Sequence, residues 1–81
     1  MKVRILFFAS LAERIERRSL ELELPESASA FDAMEALVRE HEAVAEMRGS
    51  LAIAVNQRIV SADAPLQDGD ELALLPPVSG G

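Results

Sequence analysis

Helical spacing is sustained over one long stretch of this 81-residue sequence. From about residue 29 or 30 to residue 47, Phe31, Met34, Leu37 and Val38 recur at helical intervals. Ser27 or Ser29 is placed to cap the start, and Asp32 and Glu35 lie near the positive end of the helix dipole. The other apolar runs alternate with period two. Residues 2–8 set Val3, Ile5 and Phe7 against Arg4, Leu6 and Phe8. Residues 19–24 set Leu20, Leu22 and Leu24 against Ser19, Glu21 and Glu23, and Pro25 halts them. The run "LAIAV" sets Leu51, Ile53 and Val55 against Ala52 and Ala54, with Gly49 before it as a helix stop. Asn56 and Gln57 form a tight turn into a short strand at 58–61, and a loop with Pro65 and "QDGD" leads to a last strand at 71–75. Residues 10–16 read as a short helical turn.

The order β(α)βαβββ gives one mixed sheet packed against one main helix, an α+β arrangement of the β-grasp, ubiquitin-like kind. A ferredoxin-like fold needs a second full helix. The chain divides into a domain over residues 1–75 and an extended tail over 76–81. If the first-named residues of each strand face the helix, then Leu6, Phe8, Ala52, Ala54, Ile59, Ala73 and Leu75 face the other way. Phe8, Ile59 and Leu75, from three different strands, then merge into an apolar patch rimmed by Arg4 and Arg58, which on a small domain marks a partner site.

A domain this small buries only about 60% of its unfolded-chain surface, which leaves little room for an internal active site. The net charge of −6 is spread along the chain and disfavours nucleic acid and anionic membranes, whose phosphates require clustered cations. Without cysteine there is no disulfide framework and no thiolate nucleophile, and a cytoplasmic location is the default. "MKVRILFFASLA" has the outline of a signal peptide, but Arg4 interrupts it and Glu13 and Arg14 follow at once. No run approaches the roughly 20 apolar residues of a membrane span.

The sequence ends "PPVSGG". Pro76 and Pro77 cannot continue a ladder and hold the backbone extended, so the last strand stops and a flexible Gly-Gly tail projects outward. Six residues reach about 20 Å at roughly 3.3 Å each. Gly80 and Gly81 have no Cβ, so Val78, Ser79 and the two glycines can thread a channel too narrow for larger residues. The working group of the chain is then the carboxylate of Gly81.

Taken together, "VRILFFASLAE", "AVNQRIV" and "DAPLQDGDELALLPPVSGG" are similar to the small, sulfur-carrying subunit of molybdopterin synthase, over nearly the whole chain. The glycine that many relatives carry after the first short helix is absent here. The resemblance implies a carrier whose Gly81 carboxylate is adenylated by an ATP-using, E1-like enzyme and converted to a thiocarboxylate through a sulfur donor system. It also implies insertion of the tail into the large subunit of molybdopterin synthase, in a heterotetramer, where the sulfur passes to a pterin precursor of the molybdenum cofactor. Phe8, Ile59 and Leu75 match the partner-contact positions of that family, and Pro76, Pro77, Val78, Ser79 and Gly80 match its inserted tail. On this reading the chain binds no cofactor or metal of its own and catalyses nothing, ATP being used by the partner. The alternatives are a sulfur carrier for thiamine or cysteine synthesis, a modifier joined to lysines through Gly81, and a docking module with an inert tail.

Three further features carry less. His41 is the single histidine and sits beside the apolar stripe as a boundary residue. Asp68, Asp70 and Glu71 lack calcium-loop spacing, and Gly69 reads as a turn residue at positive φ. Arg14, Arg17 and Arg18 alternate with Glu13 and Glu16 as a solvated face.

Overall fold

In the computed structural model, which describes residues 1–77, five strands form one sheet in the order β2-β1-β5-β3-β4. β1 (Lys2–Phe7) and β5 (Glu71–Leu75) run parallel in the middle. β2 (Ser19–Glu23) pairs antiparallel with β1, and β3 (Ala52–Val55) pairs antiparallel with both β5 and β4 (Arg58–Val60). This is the mixed α+β sheet of a β-grasp, ubiquitin-like fold. Among the described residues no helix is long and apolar enough to cross a membrane.

The helix-side face of the sheet follows the period-two reading. Val3, Ile5, Phe7, Ile53, Leu72 and Leu74 are buried, and Leu20, Leu22, Leu51, Val55 and Val60 pack at the margin of the same core. Leu11, Leu37 and Val44 cover it from the helices.

Residues 29–47, expected as one helix, form two. Ser29 caps α2 (Ala30–Glu40) in a reciprocal capping box with Asp32, whose carboxylate accepts from the Ser29 backbone N–H at 2.8 Å. At His41 the backbone becomes extended (φ −131°, ψ 108°), and α3 (Glu42–Met47) begins beyond it. His41 serves both ends: its N–H donates to the Leu37 carbonyl, and its own carbonyl accepts from Val44 and Ala45. Its ring meets the buried Phe7 ring edge-on, with centroids 5.9 Å apart. The break turns the chain so that Ala43 and Val44 reach the core and Glu46 reaches Arg14. A 3-10 turn (Arg48–Ser50) containing Gly49 leads into β3.

Phe31 is a second correction. The buried stripe of α2 is Ala30, Ala33, Met34 and Leu37, and Phe31 lies about 100° round the helix from Ala30. Its ring is 47% exposed and carries the Arg48 guanidinium 5.4 Å from its centroid.

The first short helix is firmer than a single turn. α1 spans Ala9–Ile15, and Glu16 closes it in the left-handed conformation (φ 62°, ψ 34°) that suits glycine. Asn56 and Gln57 both have positive φ (50° and 70°), as a two-residue hairpin turn of the right twist requires.

Candidate functional site

β1 ends one residue earlier than its alternation suggests. Phe8 leaves the strand and becomes the residue before α1, still extended (φ −125°, ψ 157°). Its ring nevertheless stays on the side away from the helices and is 44% exposed. Ala54 and Ile59 are cross-strand partners and so share a face, and Leu75 ends β5 opposite Ala52. Together Leu6, Phe8, Ala54, Ile59, Ala73 and Leu75 line one shallow hollow of about 390 Å³, with Gln57 and Glu71 at its margin. The three residues singled out from the sequence, Phe8, Ile59 and Leu75, are thus brought together. Ala54 lies beneath them and is only 6% exposed.

The face is polarised along β1. At one end Arg4 lies in register between Glu21 of β2 and Glu71 of β5. Two residues on, Leu6 lies between Ser19 and Ala73, and the surface is apolar from there to Leu75. The apolar end is therefore the end at which β5 delivers Pro76 and Pro77. Arg58, expected to rim this face with Arg4, is in register with Val55 and belongs to the helix side. The alternation of Val55 and Val60 already implied that placement.

The position of β5 is set by side chains of the turns around it. The Asn56 carboxamide donates to Asp70 Oδ1 at 2.9 Å and accepts from the Glu71 N–H at 3.0 Å. Asp70 Oδ2 accepts from the Gln67 N–H, and Asp68 Oδ1 from the Lys2 N–H, each at 2.8 Å. These carboxylates hold backbone donors, and among the described residues no group of His, Asp and Glu is placed to bind a metal ion. Gly69 makes the intervening turn at φ +85°. The "VNQ" and "QDGD" segments are thus one hydrogen-bonded unit at the start of β5, a link that neither segment discloses alone.

A second hollow of about 590 Å³ lies on the helix side of β4, among Phe31, Met34, Leu51, Ile53, Ile59 and Val60. The helical spacing that groups Phe31 with Met34, Leu37 and Val38 does not disclose it; the Ala30, Ala33, Met34, Leu37 spacing is the signal that turns Phe31 outward. Arg14 pairs with Glu46 at 2.5 Å, and Arg17 and Arg18 lie at the mouth of another open hollow beside Phe8 and α1. Val78, Ser79, Gly80 and Gly81 lie outside the described residues.

The ThiS family model matches residues 5–81. The molybdopterin synthase sulfur carrier subunit of Escherichia coli is 42% identical, over 98% of this chain and 99% of its own. The human subunit of the same name is 34% identical, over 99% and 94%. Among solved structures, small archaeal modifier protein 1 of Haloferax volcanii superposes with a TM-score of 0.88 at 32% identity, over the full length of both chains. A protein–protein complex of subunits 1 and 2 of the molybdopterin-converting factor of Helicobacter pylori contains a chain that matches with a TM-score of 0.72 at 33% identity, again over the full length of both. With an apolar hollow at the end of β5 and similarity along its whole length, the chain belongs to the ThiS family, among the molybdopterin synthase sulfur carrier subunits.

Proposed function

We propose that the chain carries sulfur on the carboxyl group of Gly81 for synthesis of the molybdenum cofactor. The observation that carries this reading is the apolar hollow of Phe8, Ile59 and Leu75, placed where β5 releases the segment that reads "PPVSGG". A protein that covers the hollow takes hold of the domain beside its tail. Pro76 and Pro77 then direct the last four residues, a valine, a serine and two glycines, toward that protein's own site.

A carboxylate resists nucleophilic attack until it gains a leaving group. ATP, bound by an E1-like partner, supplies one: the carboxylate oxygen attacks the α-phosphorus, pyrophosphate leaves, and an acyl adenylate forms. Hydrosulfide delivered by the donor system then attacks the carbonyl carbon, forming the C–S bond and displacing AMP. The product is a thiocarboxylate. Within the large subunit of molybdopterin synthase its sulfur passes to a pterin precursor, and water restores the carboxylate. The chain has no cysteine for the relay, so the catalytic groups and the cations that hold ATP and precursor phosphate belong to the partners, and its own role is non-catalytic. It needs no bound cofactor.

Intact mass tests this directly. Incubation with ATP, an active E1-like enzyme and a sulfur source is expected to raise the mass by the exchange of one oxygen for sulfur, and a chain lacking Gly81 should not change. No gain with a partner of proven activity rejects the carrier reading. The ThiS family match keeps a carrier for thiamine synthesis in view; sulfur release that depends on the pterin precursor and the large subunit separates the two. The similarity to small archaeal modifier protein 1 supports a second reading, a modifier linked to lysines through Gly81. Cell extract with ATP would then yield isopeptide-linked products.

A further inference from the structure

The sheet has two free edges of different construction. At one, β2 presents exposed Glu21 and Glu23, so a strand pairing there would lie along two carboxylates. At the other, β4 carries no acidic residue. Its two-residue turn fixes which of its backbone groups are free. Val55 and Arg58 close the turn as a hydrogen-bonded pair, Ile53 and Val60 form the next such pair, and Ala54 and Ile59 between them form a non-hydrogen-bonded pair. The N–H and C=O of Ile59 therefore both point off the edge of the sheet, and no other described segment engages them.

Ile59 is also the most exposed large apolar side chain among the described residues, at 68%. It borders both hollows, the one with Phe8 and Leu75 on the open face and the one with Phe31 and Met34 on the helix side. A strand laid along β4 would send successive side chains alternately toward the two faces, one into each apolar hollow. Such a segment is apolar at consecutive positions, unlike a half-buried strand.

We infer that β4 is a strand-addition site, filled by an extended apolar segment of the same protein that docks on the open face, with its backbone paired to Ile59. The occupant follows from the size of the edge. One outward N–H and one outward C=O provide two hydrogen bonds, together about thirtyfold in affinity, too little to hold a free peptide or a second copy of the chain. The segment must belong to a partner already held by the continuous surface through Ile59. The inference rests on the docking reading above, in which that partner is the large subunit of molybdopterin synthase.

The test removes the hydrogen bond and keeps the side chain. A full-length chain assembled by chemical ligation, with an ester in place of the amide at the Ile59 nitrogen, is titrated into the purified large subunit beside wild type, Ile59→Glu and Leu75→Glu. The ester chain should stay folded with only a small drop in thermal midpoint, because that N–H has no partner within the fold and only the Arg58 carbonyl, now an ester, accepts more weakly from Val55; it should bind about three- to tenfold more weakly. Both Glu variants should bind far more weakly still, and the Ile59 amide should exchange more slowly in the wild-type complex than in the free chain. Wild-type affinity of the ester chain, with unprotected Ile59 exchange, overturns strand addition while the Glu variants still report the docking face. Wild-type affinity of all three variants overturns the docking reading as well. Dimerisation of the chain alone with protection of Ile59 would give the edge to a second copy and overturn the inference.

Discussion

Leu74 and Leu75 are neighbours in one strand with opposite surroundings. Leu74 is completely buried beside Phe7 and Ile53 beneath the helices, whereas Leu75 is partly exposed beside Phe8 and Ile59. The same contrast separates Phe7 from Phe8. Hydrophobicity alone does not distinguish the members of either pair; the pleat does, by turning one toward the helices and the other toward a surface that no part of the described chain covers. The two faces of this sheet thus use the same residue types in different settings, one holding the domain together and the other left open.

The widest separation is expected between Leu74→Ala and Leu75→Ala in chemical denaturation. The first should cost about 3 kcal/mol through lost burial and a cavity, and the second less than about 1 kcal/mol. Equal costs would break the comparison. Next, Leu75→Glu or Phe8→Glu should leave the amide spectrum dispersed yet weaken binding to the large subunit by about 2 kcal/mol, roughly thirtyfold. Global unfolding of either variant would assign these residues to the core.

Asn56→Gly sharpens the comparison from another side, because the register of β5 decides which of its residues faces which way. Glycine keeps the left-handed turn and removes the carboxamide that bridges Asp70 and Glu71. A loss of about 1–2 kcal/mol is expected, with faster hydrogen exchange along β5. Unchanged exchange would show that the pleat alone sets the register. The smallest effect is a gain: Glu16→Gly relieves a left-handed non-glycine residue and should raise stability by about 1 kcal/mol in thermal melts. Since Glu16 lies on neither face of the sheet, binding should not change.

Most of this architecture is legible from alternation, because a two-residue period assigns every strand residue to a side. Val3, Ile5 and Phe7 are read correctly for that reason, and so are Leu6, Ile59 and Leu75. Helical spacing was a weaker guide. Its pattern runs through His41 without interruption, whereas the break there depends on the contact of His41 with Phe7 and on the need of Val44 to reach the core. Phe31 shares helical spacing with Met34, Leu37 and Val38, yet the buried stripe runs through the small residues Ala30 and Ala33 and leaves Phe31 outside it. The union of Asn56 with Asp70 joins positions 14 apart, and no local pattern encodes it. The hollow itself is legible because its members occupy alternating positions along four neighbouring strands.

The strand order has a consequence for how the molecule is made. Without β5, the β1-β2 pair and the β3-β4 hairpin are two separate ribbons, for among the described residues β5 is the only strand that touches both. Of the five strands, the one synthesised last is the one that unites the sheet, and its pairing with β1 joins Arg4 to Glu71, a long loop to close and a slow kind of contact to form. Until that insertion Leu6, Ala54 and Phe8 have no Leu75 beside them, and the hollow does not exist. A chain that stalls or is clipped within residues 71–75 therefore loses its sheet and its open hollow together, so on the proposed docking reading assembly itself withholds unfinished chains from any partner that reads that hollow.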